Sequence, residues 1–327
     1  MASVVVTGAA GFLGSLLIER LLDADHLLLQ GRSVAIDRIV AVDRVIPDNW
    51  LQADHLEPIE SDLQTWLADD HSVWREDTVV FHLASAVSGE CEQHLDTGIE
   101  ANVMTGIALG RLLASCAHRP TLVFASSLAI YGGTADTPLP DCVTDAVRPV
   151  PQNSYGAQKL MLETLYADLA RRGLIAIRTL RLMTVSVRPG KPNQAASGFL
   201  SGMIREPLQG LPSNIPVPLD LNVVLNSPED AVSGLIRVAG FDDQTWGSPL
   251  GLNLPGLALS VGDMVDALRE VGGEPAVSLL SYEIDPAIHH IVSGWPARFD
   301  SARAKRLGLT SGQPFQEVIK QFRGTLR

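Results

Sequence analysis

The chain has 327 residues, 46% of them hydrophobic and 19% charged, with a net charge of −12 and a pI near 5.1. This is the composition of a folded protein with room for one large core or two intimate ones, and so acidic a balance argues against nucleic acid as a partner. The three scattered cysteines, Cys91, Cys116 and Cys142, fit neither a disulfide framework nor a zinc site, so reduced cytoplasmic thiols are expected.

Residues 4–6 are a β-branched run ended by Thr7-Gly8 and read as a buried parallel strand. Leu13, Leu16, Leu17 and Leu21 recur at helical spacing, which predicts a helix over 12–24. The stretch 25–37 is longer than a turn and holds either a loop or a strand extension. A second strand, 39–42, closes at Asp43. Further strands are expected at 78–83, 121–125 and 175–182, with helices at 99–117 and 154–172 between them. Strands alternating with helices imply an α/β fold with a doubly wound parallel sheet. Beyond Leu182 the text turns rich in proline and glycine. It carries a short helix near 198–205, helices at 230–239, 261–271 and 315–322, and a strand at 250–254 able to return to the sheet. The expected division is a nucleotide-binding domain of 1–182, with returning segments about 226–256, and a smaller substrate-binding lobe made of 183–225 and 257–327. A cleft between the two would take the substrate. The opening residues lack a basic leader and a long apolar stretch, so neither a signal peptide nor a membrane span is expected.

Gly8, Gly11 and Gly14 fall between the first strand and the first helix. The first allows a tight turn, the second lets backbone approach a pyrophosphate, and the third lets the helix pack close to the strand. Asp43 ends the next strand, where a carboxylate accepts bonds from the ribose hydroxyls of an adenine dinucleotide and repels a 2′-phosphate. NAD is therefore favoured over NADP, although Arg44 beside it is a residue type that receives such a phosphate. Asp62-Leu63, nineteen residues on, falls where an adenine-contacting pair belongs; a solvent-exposed turn is the alternative. Ser126-Ser127 ends the strand begun at Thr121, where a hydroxyl can point into the cleft; serines that simply end a strand are the alternative. Tyr155 and Lys159 lie one helical turn apart on one face. A phenol is a poor base at its usual pKa of about 10, and a neighbouring ammonium favours the phenolate. A tyrosine tuned in this way exchanges a proton with an alcohol or a carbonyl. His82, in a buried strand, reads as a packed core histidine. His289-His290 has no acidic or cysteine partner at ligand spacing, so no metal is expected.

Together these residues resemble the extended branch of the short-chain dehydrogenase/reductase family. The resemblance is carried by Thr7-Gly8-Ala9-Ala10-Gly11-Phe12-Leu13-Gly14, Asp62-Leu63, His82-Leu83-Ala84-Ser85, Asn102, residues 124–132, Tyr155 with Lys159, and Leu180-Arg181-Leu182. It implies a Rossmann NAD-binding domain in which Phe12, Leu13 and Leu83 join the glycines around the cofactor. Ser127 would be a catalytic serine, Tyr155 the acid/base, and Lys159 the group that lowers its pKa and bonds the nicotinamide ribose. Ala84 and Ser85 would lie near that ribose, Asn102 would support the site, and Leu182 to Thr184 would line the nicotinamide. Nucleotide-sugar enzymes of this branch commonly carry an asparagine where this chain has Thr184, which argues against a nucleotide-sugar substrate. Residues 188–193, 195–197, 205–208, 294–296 and 303–309 resemble instead the sugar-acid dehydrogenases of the family. That resemblance implies NAD-dependent oxidation of the C2 hydroxyl of D-erythronate, or a related four-carbon sugar acid, to the 2-oxo acid. Its carboxylate would be held by Arg188 and Lys191. A nucleotide-diphosphate-sugar epimerase or dehydratase is the alternative. The helices at 99–117 and 154–172 are more apolar than one sheet face requires; in this family such helices pair two subunits, so a homodimer is expected, with core packing the competing explanation.

Overall fold

Val4, Val5 and Val6 are all fully enclosed, the first and third in one apolar cluster and the second in another. Successive strand residues point to opposite faces, so a strand buried along its whole length needs covering layers on both sides. The computed structural model describes residues 1–69, 73–190 and 195–326, and it has that three-layered build. Strands β1 (Ala2–Thr7), β2 (His26–Leu29), β3 (Arg32–Asp43), β4 (Leu56–Glu60), β5 (Thr78–His82) and β6 (Thr121–Ser127) join strands Ala176–Leu182 and Leu252–Asn253 in one eight-stranded sheet. From one edge the order is Leu252–Asn253, Ala176–Leu182, β6, β5, β1, β3, β4, and every pair in that series is parallel. The winding reverses between β1 and β5, and the crevice at the carboxyl ends of those two strands is where such sheets bind ligands.

The stretch 25–37 proves to be a strand extension. β2 folds back antiparallel on the start of β3 through Gln30-Gly31, whose φ values of 46° and 78° suit a two-residue hairpin. The expected helix at 99–117 begins earlier and is broken in type. Leu95–Gly98 and Thr105–Ser115 are α-helical, and Ile99–Met104 between them forms a π-turn that no periodicity reveals. Helix Thr105–Ser115 packs tightly against helix Ser154–Arg171, and a side chain on Gly106 would collide with Leu162 at 2.6 Å.

One apolar cluster joins Val4, Val6, Leu17, Leu21, Leu180 and Leu235 on one face of the sheet; a second joins Val5, Val80, Leu109, Phe124, Leu162 and Tyr166 on the other. A third lies apart, around Met203, Ile204, Val223, Met264, Leu268 and Ile319. Its backbone is a three-stranded sheet of Thr184–Val185, Asn222–Asn226 and Leu257–Ser260 with helices Phe199–Leu208, Val261–Val277 and Phe315–Gly324. The chain leaves this small sheet after Asn226, runs through helix Pro228–Ala239 against the large sheet, adds Leu252–Asn253 to it, and returns at Leu257. Ala304, Leu307 and Leu309 also pack into the first cluster, and Phe299–Asp300 just before them pairs with Val143–Thr144. No helix among the described residues is long and apolar enough to cross a membrane.

Candidate active site

At the carboxyl edge the loop after β1 is shaped by contacts only glycine tolerates. Gly8 has φ +69°, and a Cβ there would lie 2.6 Å from the Ala84 nitrogen, forcing apart the loops that follow β1 and β5. A Cβ on Gly14 would lie 2.2 Å from the Gly8 oxygen, so helix Phe12–Leu22 could not seat on the loop. Gly11 differs: an added Cβ meets a single protein atom, the Gly8 oxygen, at 3.1 Å. The protein's own atoms constrain position 11 less severely than 8 and 14, which suits a position kept clear for a ligand. The N-terminus of helix Phe12–Leu22 has no side-chain cap and no acid in its first turn, leaving its amides and dipole open to an anion. Asp43 accepts from the amides of Ala10 (2.9 Å) and Arg44 (2.7 Å), which ties β3 to the loop and leaves lone pairs for ribose hydroxyls. These features fit a dinucleotide. Asp62 is exposed and caps helix Leu63–Leu67 through the amides of Gln64 and Thr65, and Leu63 packs in the core beside Trp66.

One cleft is lined by Gly8, Gly11, Phe12, Leu13 and Gly14 on one side and by Ser127, Tyr155 and Lys159 on the other. Leu83, Ser85, Leu182, Thr184 and Arg188 complete much of its wall. Ala84 lies beneath Gly8. Ser127 ends β6 and starts a 3-10 turn, Leu128–Ile130, whose Ala129 amide donates to its Oγ at 3.1 Å. Helix Ser154–Arg171 begins directly against that turn. Asn153 caps it by accepting from the Gly156 amide at 2.8 Å, and a Cβ on Gly156 would lie only 1.9 Å from the Ala129 oxygen. That close approach carries Tyr155 toward Ser127, and the hydroxyls of Ser85 and Ser127 act on the phenol to favour its ionised form.

The electrostatics correct one expectation from the sequence. Burial pushes the Tyr155 phenol up to about 12, and the charge that pulls against this is the Arg188 guanidinium, helped by the Ser85 and Ser127 hydroxyls. Burial lowers Lys159 to about 8, opposed by neighbouring Cys91 and Glu163. Its Nζ donates to the Ala125 carbonyl at 3.0 Å and sits 5.6 Å from the centroid of the Tyr155 ring. Spacing put the ammonium near the ring, but burial sets the phenol's pKa and Arg188, rather than Lys159, is the charge that opposes it. His82 is the packed core histidine expected. It shares a 2.7 Å hydrogen bond with Thr7 and stacks on Phe124, and burial, then Lys159, lowers it to about 3.

Asn102, turned inward by the π-turn, is nearly fully buried. Its Oδ1 accepts from the Ala86 amide at 2.7 Å and from Ser85 at 3.0 Å, and its Nδ2 donates to Gln158 at 2.7 Å. It thereby fixes the loop that reaches Tyr155. Arg188 is held by its backbone, with its amide donating to Ser201 (3.0 Å) and its carbonyl accepting from Arg205 (2.8 Å). Its Nε donates to the Val185 carbonyl at 3.0 Å. The charged groups acting on it are Tyr155 and Arg205, and no carboxylate among the described residues offsets it. Lys191 lies outside the described residues. Several residues of the site escaped sequence reasoning, Gly156, Trp295 and Gln158 among them. Gly156 was legible only as the residue after Tyr155, Trp295 reaches the cleft from the far end of the chain, and Gln158 acts through Asn102.

A parallel sheet of this order, a glycine loop at its switch point, and a Ser-Tyr-Lys cluster facing that loop define an NAD-dependent oxidoreductase of the extended short-chain dehydrogenase/reductase type. The chain belongs to the NAD dependent epimerase/dehydratase family, whose model matches residues 4–230. It is 39% identical over 320 residues to D-erythronate dehydrogenase of Cupriavidus necator, covering 98% of this chain and 97% of the relative. The D-erythronate dehydrogenase of Haemophilus influenzae is 35% identical over 319 residues, covering 98% of each. Among solved structures, a nucleoside-diphosphate-sugar epimerase from Agrobacterium tumefaciens superposes with a TM-score of 0.85 at 33% identity, covering 98% of this chain and 92% of that one.

Proposed function

We propose that the protein oxidises the C2 hydroxyl of a small sugar acid, D-erythronate in the first instance, to the 2-oxo acid. The observation that carries this reading is Arg188: a half-buried guanidinium in the wall of the cleft, acting on Tyr155, with no offsetting carboxylate among the described residues. A desolvated cation kept unpaired beside the reacting group suits a substrate that brings its own carboxylate. Two relatives of nearly full coverage that bear the name D-erythronate dehydrogenase support the same reading.

Bound NAD supplies the hydride acceptor and, in its oxidised form, a positive ring that favours phenolate. The glycine loop and Asp43 hold the dinucleotide, with Asp62 and Leu63 toward the adenine. Leu83, Ala84, Ser85, Leu182 and Thr184 surround the nicotinamide end. Ser127 bonds the substrate oxygen and holds it as it becomes a carbonyl. Tyr155 takes the hydroxyl proton as the C2 hydride departs. Lys159 steadies the phenolate and bonds the ribose, and Arg188, with Lys191, binds the carboxylate. The lobe of 183–225 and 257–327, apart from the 302–309 stretch, forms the substrate side. Exposed Leu95 and Met104, on the turns that lead into helix Thr105–Ser115, and Met161, on helix Ser154–Arg171, are the surface for a homodimer, which sedimentation tests.

The deciding experiment assays purified protein with NAD against four- to six-carbon aldonic acids, reading NADH absorbance. D-erythronate is expected to give net NADH. Interconversion of a nucleotide sugar without net NADH would establish the epimerase reading that the Agrobacterium structure favours.

A further inference from the structure

Beneath the cleft lies a buried ion pair that the proposed chemistry leaves unused. Glu163 sits one turn beyond Lys159 on helix Ser154–Arg171 and is 5% exposed. Its carboxylate accepts from Arg181 Nε at 3.0 Å and Nη2 at 2.7 Å, and also from the Ser126 hydroxyl. Arg181 Nη1 donates to the Tyr131 oxygen at 2.6 Å, and Tyr131 donates to Asn253 at 3.1 Å. A Cβ on Gly251 would lie 2.8 Å from Glu163 Oε2, so glycine lets the edge strand close over the pair. One carboxylate therefore joins the helix of Tyr155 and Lys159 to the residue before Ser127 and, through Arg181, to the residue before Leu182.

A buried ion pair contributes little to stability over a well-packed apolar substitute. Its placement gives it a different use. The groups facing Lys159 are Tyr155 and Glu163 from its own helix, His82 from β5, Cys91 from helix Ser88–Gln93, and the ring of Phe124. At neutral pH His82 is uncharged, and burial keeps the Cys91 thiol and, until the nicotinamide binds, the Tyr155 phenol protonated. Glu163 is the one carboxylate in that set. We propose that Glu163 is a positioning residue that aligns the catalytic helix with the Ser126-Ser127 strand end and holds Lys159 in its ammonium form. This inference rests on Tyr155 and Lys159 being the proton-transfer pair.

The test is the pH profile of kcat/KM for D-erythronate oxidation in wild type, Glu163→Asp, Glu163→Gln, and the double variant Glu163→Gln/Arg181→Met. The double variant removes both buried charges, so that folding is kept while the carboxylate is lost. The alkaline limb, where Lys159 gives up its proton, is expected to move down by about one pH unit in both Gln variants, as removal of an adjacent opposite charge does. Glu163→Asp is expected to leave the limb in place, and NAD affinity is expected to hold throughout. A limb at its wild-type position in the double variant, at whatever level of activity, overturns the proposal. If the proton-transfer pair is itself misassigned, Tyr155→Phe turns over normally; if only Glu163 is misassigned, Tyr155→Phe is inactive and the limb stays put.

Discussion

Gly156→Ala isolates the contact that brings Tyr155 to Ser127. The added Cβ would sit 1.9 Å from the Ala129 oxygen and 2.6 Å from its carbonyl carbon, whereas ordinary contact begins at 3.4 Å. The helix start and the 3-10 turn must separate by roughly 1.5 Å along that line, the difference between 3.4 and 1.9 Å. Neither side yields cheaply, because the turn is bonded to Ser127 through the Ala129 amide and the helix is capped by Asn153. Overpacking of this kind costs about 1–3 kcal/mol of stability. A misplacement near 1 Å in the reacting groups costs about 100-fold in rate. Steady-state NADH formation is therefore expected to show kcat reduced about 100-fold, with melting a few degrees lower and NAD affinity within about threefold, since the glycine loop is untouched. Gly173→Ala is the control. It has φ +76° and no atom within 4 Å, so its cost is about 1 kcal/mol of backbone strain with kcat intact. Wild-type kcat in Gly156→Ala, or equal loss in both variants, would refute the reasoning.

Tyr155→Phe is expected to lower turnover at least about 100-fold while NAD still binds by calorimetry. Arg188→Met is expected to reduce kcat/KM for the sugar acid about 10- to 100-fold, the equivalent of about 1.5–3 kcal/mol for a charge-assisted bond, and to affect an uncharged tetritol much less. Asp43→Ala, with Arg44 retained, is expected to lower the NAD-to-NADP ratio of kcat/KM; an unchanged ratio removes Asp43 from ribose selection. His82 affects acid stability. Its folded pKa of about 3 lies below the unfolded value of 6.5, so the unfolded chain binds the extra proton between those limits. Stability from this group is full above pH 6.5 and is lost as pH falls toward 3, by on the order of 5 kcal/mol in all. Urea melts of His82→Gln from pH 7 to pH 4 should show a slope smaller by about one proton; an equal slope would show that His82 titrates freely in the folded protein.

Much of this protein was legible in its residues alone. The valine run, the spaced glycines and Asp43 are local signals, because a buried parallel strand, a tight turn and a strand-end carboxylate each have short-range requirements. So is the pairing of Tyr155 with Lys159, which one helical turn suffices to specify. Tertiary structure decided what depends on distant atoms. The π-turn that buries Asn102, the closure of Gly156 on Ala129 and the delivery of Trp295 to the cleft arise from packing between segments with no common local pattern. The same holds for Tyr155 and Lys159. Spacing set an ammonium beside a phenol, but enclosure by β5, β6 and the far lobe sets the solvation of both, and desolvation acts through every neighbour at once.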